Sequence, residues 1–86
     1  MAFSSRKPEI EYPTRWDYKI IGSDVDDMLR AIEEIIVDLE YEVIPSNVSS
    51  KENYHSLNIT VVVPSEIVRD IIFQKFSENP EIKIVI

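Results

Sequence analysis

The chain has 86 residues, 44% of them hydrophobic and 29% charged, with no cysteine, one glycine, one histidine and a net charge of −7. So short a chain supports one small domain, burying roughly 60% of the surface its unfolded form exposes. Zero cysteine excludes disulfides, zinc–thiolate sites, iron–sulfur clusters and thiol nucleophiles, and the negative charge argues against the basic footprint of a nucleic-acid binder.

No apolar run approaches the roughly 18 residues of a membrane span, and Ser4, Ser5, Arg6 and Lys7 interrupt any signal peptide, so a cytoplasmic location is expected. Residues 1–11 contain Pro8 and show no period, which predicts a flexible tail leading into a single domain over 12–86. Arg15 to Gly22 alternates, with Trp16, Tyr18 and Ile20 on one side and Asp17, Lys19 and Ile21 on the other, as a strand does. Gly22 turns the chain, and Ser23 is the expected N-cap of a helix from Asp24 to Leu39. Its stripe is Val25, Met28, Leu29, Ile32, Ile35, Ile36 and Leu39, with Asp26, Arg30 and Glu34 spaced for weak pairs outside.

Tyr41 to Val48 reads as a second strand, and Pro45 assigns it to a sheet edge or a bulge. Ser49 to Asn53 is turn-like. Tyr54 to Val63 alternates again, with His55, Leu57, Ile59, Val61 and Val63 inward and Tyr54, Ser56, Asn58, Thr60 and Val62 outward. Ser65 caps a second helix to Ser77, with Val68, Ile71, Ile72 and Phe76 inward, and Asn79 and Pro80 end it. Glu81 to Ile86 is a last strand with Ile82, Ile84 and Ile86 on one face. The order β-α-β-β-α-β predicts an α+β ferredoxin-like sandwich, a four-stranded antiparallel sheet with two helices on one face. Its expected core is Tyr18, Ile20, Val25, Leu29, Ile32, Ile36, Leu57, Ile59, Val61, Ile72, Phe76, Ile82 and Ile84.

The stretches Pro13 to Gly22 and Pro45 to Val61, with the ending KIVI, resemble the YbeD-like family of small bacterial proteins over about Tyr12 to Ile86. The most specific piece is SSK-x-x-Y-x-S, here Ser49, Ser50, Lys51, Tyr54 and Ser56; family members often carry glycine where this chain has Glu52. The resemblance implies a ferredoxin-like fold similar to ACT-type regulatory domains, and no established activity.

The chemical signals are few. His55 has no partner named by the sequence and reads as a half-buried strand-end residue. Asp24, Asp26 and Asp27 lack the spaced ligands and glycine of a calcium loop and suit the first turn of a helix, where the dipole favours negative charge. Gly22, Ser23 and Asp24 cannot form an acylphosphatase cradle, since an aspartate repels phosphate. The paired cysteines of metallochaperones and the basic, aromatic face of RNA-recognition modules are absent as well. No catalytic residue, cofactor or metal is expected.

Two functional readings remain. One is a regulatory or protein-interaction module. Its unidentified protein partner would meet the uncovered sheet face and the turn leading into it, through Lys19, Ser49, Ser50, Lys51, Tyr54, Ser56, Asn58 and Lys83. The other is an ACT-like sensor of an amino acid or related metabolite, binding at Gly22 and Ser23. Eight acids against Arg30 alone stand between Asp24 and Glu42, so this segment holds the entire net charge. A solvated helix face accounts for it, and a basic partner is the functional alternative. The second and fourth strands should be the sheet edges, and the charge favours a monomer or weak homodimer.

Overall fold

Alternation makes the first strand: Tyr18 and Ile20 are buried while Arg15 and Asp17 are exposed, the pattern of a sheet covered on one side. In the computed structural model, which describes residues 10–46 and 54–86, this strand β1 spans Thr14–Gly22. It is followed by α1 (Val25–Ile35), β2 (Tyr41–Pro45), β3 (His55–Val63), α2 (Glu66–Glu78) and β4 (Ile84–Val85). The sheet order is β2-β3-β1-β4 and every pairing is antiparallel. This is the ferredoxin-like arrangement, with β2 and β4 at the edges as expected and Pro45 at the end of the outer strand.

The long β1–β3 ladder, from Thr14 opposite Val63 to Gly22 opposite His55, is the spine of the sheet. Its covered face carries Tyr18, Ile20, Leu57, Ile59, Val61 and Val63, and the helices add Met28, Ala31, Ile32, Ile72 and Phe76. Ile36 and Ile82 complete the core.

Helix α1 departs from the expected limits at both ends. Its N-cap is Asp24 rather than Ser23: the Asp24 carboxylate accepts the Asp27 N–H at 3.0 Å, satisfying one of the orphan donors of the first turn. The helix stops well short of Leu39. Ile36 takes extended backbone, and Asp38 adopts φ 64°, a left-handed conformation that Asp tolerates better than most residues. The buried line is Met28, Ala31 and Ile32, whereas Leu29 is 38% exposed and Val25 only half-buried. A seven-residue stripe is wider than the contact it makes, and the small Ala31, which hydrophobic spacing overlooked, marks its centre. Arg30 pairs with Asp27 at 2.8 Å instead of Asp26 and Glu34. In α2, Ser65 caps as expected by accepting the Val68 N–H, but Ile71 faces outward, 44% exposed.

The last strand is shorter and out of phase with the reading from alternation. The Lys83 N–H donates to the Ile21 carbonyl although Ile84 is the register partner of Ile21, so two residues face one, as in a bulge. The bend moves Ile84 to the uncovered face, 50% exposed, and leaves Ile82 in the core. Val85, opposite Ile20, takes the inward place expected of Ile84. His55, at the first position of β3, is exposed rather than half-buried.

Candidate functional site

Register places the open face row by row. Lys19 stands opposite Asn58, and Asn58 opposite Ile44. Ile84 stands opposite Ile21, and Ile21 opposite Ser56. Adjacent strands lie about 4.8 Å apart, so these two rows, each three strands long, together form a patch across all four strands in which Ile44 is 53% and Ile84 50% exposed. The next row pairs Asp17 with Thr60 and Thr60 with Glu42, and the Thr60 hydroxyl donates to the Asp17 carboxylate at 2.8 Å. One end of the face is therefore apolar around Lys19 and Asn58, and the other is polar.

The sequence-expected residues divide accordingly. Lys19 and Asn58 sit side by side on this face, half-buried and exposed respectively. Tyr54 is exposed just before β3. Ser56 lies on the open face but is only 7% exposed, and among the described residues its hydroxyl has no hydrogen-bond partner. A side chain that short, opposite Ile21, presents little surface. Lys83 is exposed at the bend outside β4, so its side chain does not follow the strand alternation. Ser49, Ser50 and Lys51, with Glu52 and Asn53, lie outside the described residues. Alternation missed Ile44 and Ile84 as open-face residues because Pro45 and the bend at Lys83 hide their phase.

Gly22 is closely packed at the end of β1. A Cβ there would stand 2.6 Å from the Glu81 carbonyl oxygen and 2.9 Å from Met28 Sδ. The glycine lets the end of β1 pack against the segment entering β4, and the space beside it is filled by the chain itself.

A second cluster joins β1 to α2 on the covered side. The Tyr18 hydroxyl donates to the Arg69 carbonyl at 2.7 Å, and the Tyr18 and Phe76 rings meet edge to face at 5.6 Å. Burial pushes the Tyr18 pKa up to about 12. The Arg69 guanidinium lies 4.5 Å over the Trp16 ring and donates to Asp70, the Tyr12 hydroxyl and Glu66. Sequence spacing gave no hint of this cluster, since Tyr12 and Arg69 stand 57 positions apart. No helix among the described residues is long and apolar enough to cross a membrane.

The family described as protein of unknown function (DUF493) matches residues 7–86. A UPF0250 protein of Leptothrix cholodnii is 33% identical over 90% of this chain and 89% of its own length. An uncharacterised protein of Campylobacter jejuni, Cj0253, is 39% identical over 81% of this chain and 80% of its own. The solution structure of protein HP0495 from Helicobacter pylori superposes with a TM-score of 0.79 at 28% identity, covering 100% of this chain and 94% of that one. The chain belongs to the DUF493 family, the YbeD-like group that its Pro13–Gly22 and Pro45–Val61 stretches resemble.

Proposed function

We propose that this member of the DUF493 family is a non-catalytic, cytoplasmic interaction module that binds a protein partner through the apolar end of its open sheet face. The observation that supports this reading is the pair of half-exposed isoleucines, Ile44 and Ile84, flanking Lys19, Asn58 and Ile21 in two adjacent rows. A solvated face has no need of them, whereas an interface gains contact area from exposed apolar side chains, here on the two edge strands with Lys19 and Asn58 between them. The fitting partner presents an apolar surface with a carboxylate for Lys19. The alternative, an ACT-like small-ligand sensor at Gly22 and Ser23, is disfavoured by the Glu81 and Met28 atoms that already occupy the space beside Gly22.

Affinity capture from the native organism tests the proposal. The triple change Lys19→Glu, Ile44→Ser and Ile84→Ser alters two exposed positions and one half-buried one on the open face and should shift stability by only about 0.5 kcal/mol per site, while capture of the partner is lost. Capture that survives this change, but fails with Glu34→Lys and Asp38→Lys on the acidic side, would move the interface to α1.

A further inference from the structure

The two strands at one side of the sheet differ greatly in length: β1 has nine residues and β4 two. The Lys19 N–H and carbonyl exchange hydrogen bonds with Ile86 on the β4 side. Because strand groups alternate sides with a period of two, the N–H and carbonyl groups of Asp17 and Arg15 point the same way. Among the described residues no strand pairs with β1 there. Beside this open stretch runs a groove of about 300 Å³ lined by Trp16, Asp17, Tyr18, Arg69, Asp70, Phe73 and Ile86. An unpaired edge next to an aromatic groove is the geometry of strand addition, in which main-chain bonds supply affinity and alternate side chains supply selectivity.

We propose that this edge accepts one extended, basic–apolar segment of a partner protein, pairing antiparallel with Arg15–Asp17 in line with β4. A second copy of the chain joined edge to edge is excluded by α2. That helix lies directly over β1, with Arg69 on Trp16 and its carbonyl on Tyr18. Two β1 strands about 4.8 Å apart would bring two such helices far inside the 8–10 Å that helix packing needs. A single strand carries no helix and fits. Its residue opposite Trp16 falls on the groove side, beside Trp16 and Phe73, and should be apolar. Its residue opposite Asp17 falls on the open face and should be Lys or Arg. That cation would stand directly opposite the Asp17 carboxylate, the nearest cross-strand position, with Arg15 and Lys19 on the same face one strand repeat to either side. This surface is separate from the isoleucine patch and stands or falls independently of it.

The test is an amide NMR titration of the whole chain with two blocked synthetic peptides, Thr-Lys-Val-Thr-Lys and its counterpart with Glu in place of both Lys, at millimolar concentration. The first peptide should shift the Arg15 and Asp17 amides and slow their hydrogen exchange at least tenfold. The acidic peptide should bind at least tenfold more weakly, about 1.4 kcal/mol, and Asp17→Lys should reverse the order. Unmoved Arg15 and Asp17 amides, shifts confined to Ile44, Asn58 and Ile84, or equal binding of the two peptides would each overturn the proposal.

Discussion

Replacing Gly22 with alanine separates packing from ligand access as the reason for the only glycine in the chain. The added Cβ would lie 2.6 Å from the Glu81 carbonyl oxygen, which must retreat by about 0.8 Å to reach ordinary contact at 3.4 Å. Met28 Sδ and Cγ, at 2.9 and 3.0 Å, belong to a flexible side chain, but Met28 is fully buried and has little room to turn. Glu81 is backbone, one residue from buried Ile82 and two from Lys83, whose N–H holds the Ile21 carbonyl at 2.7 Å. Relief therefore displaces the entry to β4. Overpacking of this kind costs about 1–3 kcal/mol, while stiffening the unfolded chain returns about 0.4–1 kcal/mol. The net expectation is a loss of about 1–2 kcal/mol. Urea unfolding should show the midpoint falling by about 1–2 M for a slope near 1 kcal/mol/M, with faster hydrogen exchange at Lys83. An alanine variant as stable as the parent, with Lys83 exchange unchanged, would refute the close-packing argument and reopen the space beside Gly22 to a ligand.

Three further predictions rest on individual groups. Ile59→Ala, at a site with no exposure, should cost about 2–5 kcal/mol, whereas Leu29→Ala, 38% exposed, should cost about 1 kcal/mol; thermal unfolding of both reads the difference. Asp24→Ala should cost about 1 kcal/mol through the lost Asp27 cap and Ser23→Ala almost nothing, as denaturant midpoints will show. Tyr18, with its pKa raised to about 12 by burial above the ordinary value near 10, contributes stability that is whole below pH about 10 and is lost as pH rises towards 12. Tyr18→Phe should lose about 1 kcal/mol at neutral pH, for the bond to the Arg69 carbonyl, and flatten the alkaline decline in a pH series of unfolding midpoints.

Strand and helix order, the covered face of the β1–β3 ladder and the edge position of Pro45 were legible because they depend on local period and on residues with one dominant preference. A period of two assigns Tyr18, Ile20, Leu57, Ile59 and Val61 to one side whatever they later touch. Proline lacks the N–H that an inner strand needs, which places β2 at the edge without reference to any neighbour. The phase of β4, the rotation of α1 and the exposure of Ser56 were decided by tertiary contact. Lys83 bends where two residues share Ile21, so Ile84 reaches the open face. α1 settles on Ala31 because only a small side chain brings the helix close, leaving Leu29 at the rim. Most of the candidate surface belongs to this second group. Lys19, Asn58, Ile44 and Ile84 come from four separate strands, and what sets them beside one another is the register of the sheet, which no local pattern encodes.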